Sequence, residues 1–101
     1  RVLAAAGQLP GALHAAQGLD EAFRALGDAR SARDVVGLRA QVLEELGRAE
    51  ECLTELHEAA LEARSAGDER QALQLGGFLA AFLDDLGRHG EADTVWTLFT
   101  P

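Results

Sequence analysis

Few residues in this sequence could do chemistry, and their spacing decides what each could do. The chain carries three histidines, His14, His57 and His89, and one cysteine, Cys52. A zinc-protease helix presents two histidines on one face with a glutamate beside the first. His57-Glu58 begins that pattern, but the position that needs the second histidine is Leu61, and the three histidines give no metal site by spacing. A nucleophile needs a base within hydrogen-bond reach, and helical periodicity brings none alongside Ser31, Ser65 or Cys52. Cys52 cannot form an internal disulfide, and its small neighbours make it a buried packing residue. Gly76-Gly77 lies inside a helical pattern, where glycines permit close helix packing, and no glycine-rich phosphate loop exists. No catalytic residue, metal or cofactor is expected, and the chain is read as a non-enzyme.

Carboxylates are the remaining candidates. Glu44-Glu45 and Asp84-Asp85 recur at an offset of 40 residues, so a cation or basic peptide could meet four of them if equivalent segments lie side by side. The plainer expectation is that Glu44 pairs with Arg48, and Asp84 with Arg88, four apart on a helix, each pair worth a few tenths of a kcal/mol. Glu51, Glu55, Glu58 and Glu62 likewise read as a solvated outer stripe.

The elements that position these residues are helical. At 101 residues the chain is one domain, and its 48% hydrophobic content is carried by Ala and Leu, with only 5% aromatics. Ala and Leu are strong helix formers and β-branched residues are scarce, which predicts an all-α fold. The formal charge of −8, with every basic residue an Arg, disfavours nucleic acid and suits a cationic or amphipathic partner. No apolar run approaches the roughly 18 residues of a membrane span and no signal peptide opens the chain, so a cytoplasmic protein is expected, with no membrane contact. Starting without Met inside an apolar run, the sequence reads as a piece of a longer protein.

An internal repeat organises the chain. Aligning 27–60 with 67–100 gives 12 identities in 34 positions, at Gly27, Asp28, Arg30, Ala32, Gly37, Ala40, Leu43, Leu46, Gly47, Arg48, Glu51 and Thr54 with their partners 40 residues on. Glycines at 7, 27, 47, 67 and 87 cut the chain into lengths of about 20 residues, and glycine just past a helix end is a common terminator. The spacing predicts a helix tail at 1–6 and helices at 9–26, 29–46, 48–66, 69–86 and 89–99, with Asp28 and Asp68 as N-caps and units at 1–27 (partial), 28–67 and 68–101. Connections this short force antiparallel neighbours. In the 48–66 helix, Ala49, Leu53, Leu56, Ala60 and Ala63 share the inner side, and small residues at Ala40/Ala80 and Ala12/Cys52/Ala92 let helices approach closely.

With its Leu46-Gly47-Arg48-Ala49-Glu50-Glu51-Cys52 and Leu86-Gly87-Arg88-His89-Gly90-Glu91-Ala92 turns, and Leu26-Gly27-Asp28 and Ala66-Gly67-Asp68 between units, the chain resembles the tetratricopeptide repeat family in a 40-residue form. The resemblance implies a right-handed α-solenoid of antiparallel helix pairs, about two and a half repeats. It implies a concave groove lined by the first helix of each pair, gripping a peptide or partner helix. The residues it would place there are Arg33, Arg39, Gln41, Gln71 and Gln74, with Glu44, Glu45, Asp84 and Asp85 near the helix ends. The 40-residue form is similar to arrays in bacterial signal-transduction ATPases and transcriptional regulators, which suggests a regulatory parent. The amino-acid usage, lacking Lys, Asn, Ile, Met and Tyr, fits a GC-rich genome. The alternatives are a small-molecule effector-sensing domain, or a homodimer formed through Trp96, Leu98 and Phe99 of the last helix if these do not pack beneath a following unit.

Overall fold

The computed structural model describes residues 9–100. Among these residues there is no strand, and five helices follow one another: α1 (Leu9–Ala25), α2 (Ala29–Glu45), α3 (Ala49–Ser65), α4 (Glu69–Asp85) and α5 (His89–Phe99). The predicted boundaries hold to within a residue at every end, and the expected tail at 1–6 lies outside the described residues.

The four connections are built alike. Gly27, Gly47, Gly67 and Gly87 sit at φ between +77° and +81°, a left-handed conformation that costs any residue with a Cβ about 1–2 kcal/mol. At each site the glycine N–H donates to the carbonyl three residues back, as Gly47 does to Glu44 at 3.0 Å. The next N–H reaches the carbonyl five back, as Arg48 does to Leu43 at 2.8 Å. This paired closure satisfies carbonyls that a helix end otherwise leaves open. The next helix then starts two residues after the glycine, so each connection takes three residues.

Two kinds of helix start alternate along these turns. Asp28 accepts the Ser31 N–H at 3.1 Å and the Ser31 hydroxyl at 2.7 Å, and Asp68 accepts the Gln71 N–H at 3.1 Å, as N-caps should. Arg48 and Arg88 offer no such oxygen. Each instead forks onto the glutamate three residues on, Arg48 to Glu51 at 2.8 Å through both nitrogens and Arg88 to Glu91 at 2.9 and 2.7 Å.

The chain divides between Cys52 and Leu53, inside α3. In the first unit α1 packs against α2, and its Leu13, Ala16, Asp20 and Phe23, which recur at helical intervals, are half-buried. On α2 the buried set is Ala32, Arg33, Val35, Val36, Gly37, Ala40 and Leu43. In the second unit Leu53, Leu56, Ala59, Ala60 and Ala63 of α3 are buried. So are Ala72, Leu75, Gly76, Leu79, Ala80 and Leu83 of α4, and Ala92, Val95 and Phe99 of α5. A core of Ala and Leu lets helices come close, and closest at Gly76, where an added Cβ would stand 2.7 Å from the Phe99 Cβ. Cys52 is buried as expected, at 1% exposure, and Ala12, third member of its small-residue series, is exposed. Among the described residues no helix is long and apolar enough to cross a membrane.

Candidate interaction surface

On α2 the exposed residues Asp34, Leu38, Gln41 and Glu45 follow one another at spacings of four, three and four, a single stripe along the helix. Leu38 lies about 200° around the axis from buried Val36, opposite the core, and is 61% exposed. Val42, half-buried, borders it. On α4, forty residues on, the stripe recurs as exposed Gln74, half-buried Phe78, exposed Ala81, half-buried Phe82 and exposed Asp85. Trp96 of α5 flanks it, its ring 3.7 Å from where a Gly77 Cβ would stand. Leu38, Val42, Phe78 and Phe82 are absent from the residues the family resemblance selects. Their signal was the same 40-residue offset, read for apolar residues on the side of the helix facing away from its core.

The polar residues expected in a groove separate into two groups. Gln41, Glu44, Gln74 and Asp84 are exposed and Arg39 is half-buried. Arg33 and Gln71 are corrected: they are 4% and 0% exposed, inside the protein, and cannot meet a partner. Arg33 lies within about 60° of Val36 and Gln71 within about 40° of Leu75, so helical phase carries both into the packed side.

The C-terminal ends of α2 and α4 share an electrostatic peculiarity. Each closes on two exposed carboxylates, Glu44-Glu45 and Asp84-Asp85, with no basic residue in the last turn, although a helix C-terminus is its negative pole. By contrast α1 and α3 carry Arg24 and Arg64 there. The expected pairs Glu44–Arg48 and Asp84–Arg88 give way to Arg48–Glu51 and Arg88–Glu91, because the left-handed glycine between acid and arginine turns the arginine into the next helix. The Arg48 and Arg88 hydrogen bonds hold the Glu51 and Glu91 carboxyls below their ordinary range, and the Ser31 hydroxyl and N–H do the same for Asp28. Asp84 meets His89 Nδ1 at 2.8 Å. Among the described residues, the side-chain carboxylates of Glu44, Glu45 and Asp85 take part in no hydrogen bond or ion pair.

The expected self-association trio is also divided. Trp96 and Leu98 are 49% and 40% exposed, but Phe99 is buried and corrected to a core residue. Its ring meets His57 edge-on with centroids 6.2 Å apart, and the Arg64 guanidinium stands 5.4 Å from its centroid. Arg64 also donates to the Leu98 carbonyl at 3.0 Å, one of the open carbonyls ending α5. Beside them Arg64, Glu69, Ala72, Leu98, Phe99 and Thr100 line a recess of about 80 Å³, against the several hundred Å³ of a usual small-molecule site. The Glu51, Glu55, Glu58, Glu62 stripe is not uniformly solvated, since Glu55 and Glu62 are half-buried. Among the described residues no three His, Cys, Asp or Glu side chains gather to hold a metal.

Comparison with protein-family models, with curated proteins and with solved structures finds no match to this chain.

Proposed function

We propose that the chain is a non-catalytic protein-interaction module, a tetratricopeptide-like right-handed solenoid of helix pairs that holds a partner helix or peptide. The observation that carries this reading is the recurrence of an accessible apolar stripe at the same place on α2 and α4, around Leu38 and Phe78 and opposite each helix's buried side. A single accessible apolar residue needs no explanation, but apolar residues recurring at repeat-equivalent positions, each on its own unit, call for one. Placement in a bacterial regulatory protein of the cytoplasm belongs to the same proposal. Photocrosslinking tests it, with benzoylphenylalanine at position 38 or 78 and, as control, at exposed position 58. Partner adducts are expected at the first two. Adducts confined to position 58 would reject the assignment.

One comparison favours self-association as a second reading. Leu56, the repeat equivalent of Trp96, is 0% exposed, whereas Trp96 stands 49% open beside Leu98. A second copy covering Trp96 would restore the burial its counterpart has. Sedimentation of the native chain and of Trp96→Ala decides: a folded variant that stays monomeric where the native chain dimerises supports it, and two monomers reject it.

A further inference from the structure

We infer that the accessible face of α4 takes a cationic amphipathic helix, an inference that rests on the interaction reading and adds the chemistry of the partner. From Gln74 to Asp85 the face runs about 16 Å, three helical turns, the length over which one helix seats on another. Its middle is apolar, with Phe78, Ala81 and Phe82, and Trp96 widens it on the Gly77 side. Its C-terminal end is doubly negative, since Asp84 and Asp85 stand at the negative pole of α4 with no basic residue in that last turn. The Asp84 carboxylate is met by His89, and the Asp85 carboxylate has no hydrogen-bond or ion-pair partner among the described residues. Nearby Arg88 is committed to Glu91, and at the other end Glu69 offsets Arg70. The chain as a whole carries −8. An acidic partner would meet like charge at both short and long range, whereas a basic one gains in encounter and in register.

The test uses the full chain and three synthetic helical peptides of about 18 residues that share one apolar stripe and carry Lys, Gln or Glu at the remaining positions. Binding is followed by calorimetry and by the emission of Trp96, the sole tryptophan. The Lys peptide is expected to bind at least about tenfold more tightly than the Gln peptide at low salt. That advantage should shrink in Asp84→Asn/Asp85→Asn and at about 0.5 M salt, and persist in Glu58→Gln. Equal affinity for the Lys and Gln peptides, or an advantage that the double variant leaves intact, overturns the cationic assignment while leaving the apolar face standing. Failure of all three peptides to bind overturns it together with the interaction reading.

Discussion

Replacing Gly76 by Ala and Gly77 by Ala should have opposite signs, although the two positions adjoin on one helix. Glycine inside a helix costs about 0.5–1 kcal/mol relative to alanine, so either substitution gains that much where space allows. At Gly77 the nearest atom to a new Cβ is Cζ3 of Trp96 at 3.7 Å, an ordinary contact, and Gly77→Ala is expected to stabilise by about 0.5–1 kcal/mol. At Gly76 the new Cβ would fall 2.7 Å from the Phe99 Cβ and 2.8 Å from its Cγ and Cδ2. Carbon contacts are favourable near 3.5–4.0 Å, so the intrusion is about 1 Å. No rotamer relieves it, because the Phe99 Cβ is fixed to the α5 backbone. The helix itself must move, carrying the ring away from His57 and Arg64. Overpacking of this kind costs about 1–3 kcal/mol, which exceeds the propensity gain and leaves Gly76→Ala net destabilising by about 0.5–2 kcal/mol. Urea unfolding followed by circular dichroism and Trp96 emission measures both variants. A Gly76→Ala protein as stable as Gly77→Ala would refute the close approach of α4 and α5 at Phe99.

Three further outcomes follow from the geometry. Arg64→Gln removes the guanidinium above Phe99, worth about 0.5–1 kcal/mol, and its bond to the Leu98 carbonyl, so amide exchange at residues 97–100 should quicken; unchanged exchange would deny Arg64 that role. Asp28, Glu51 and Glu91 have folded-state pKa values below their ordinary 3.8, 4.5 and 4.5, so their stabilisation is complete above those values and is lost as the pH falls through the lower folded ones. Acid unfolding of Asp28→Asn/Glu51→Gln/Glu91→Gln should therefore show a flatter pH dependence than the native chain, and an identical profile would exclude these three as its source. Asp85→Lys places a cation at the negative pole of α4 and should stabilise by about 0.3–1 kcal/mol in thermal unfolding at low salt; destabilisation would mean that Asp85 has a structural partner.

The helices were legible because their punctuation is chemical. A left-handed residue is needed where the chain reverses, glycine supplies it, and glycines at 27, 47, 67 and 87 mark four reversals. Asp28 and Asp68 were legible for the same reason, as oxygens where open N–H groups must be met. What the sequence hid was rotation about each helix axis within the packed protein. Arg33 and Gln71 are polar by type, yet their angular positions put them on the packed side, while Leu38 is apolar and faces out. Phe99 was hidden differently, because its burial depends on the absence of a side chain at Gly76 and on Arg64, twenty-three and thirty-five residues away in the sequence: a contact of α5 with two other helices that no local pattern encodes.

The alternation of helix ends argues for a division of labour. Where arginine ends a helix, as Arg64 ends α3, its positive charge both suits the negative pole and reaches across to hold the end of α5. The helices α2 and α4 forgo that gain, at Glu44-Glu45 and again at Asp84-Asp85. Electrostatics within the chain gives no reason to keep carboxylates at Glu44, Glu45 and Asp85, whose side chains meet no hydrogen-bond or ion-pair partner among the described residues, and a cation would stabilise the helix. A cost repeated at equivalent positions, each time at the end of an accessible apolar stripe, is what binding rather than folding would require. Stability should therefore rise, and affinity for a cationic helix fall, under the same substitution.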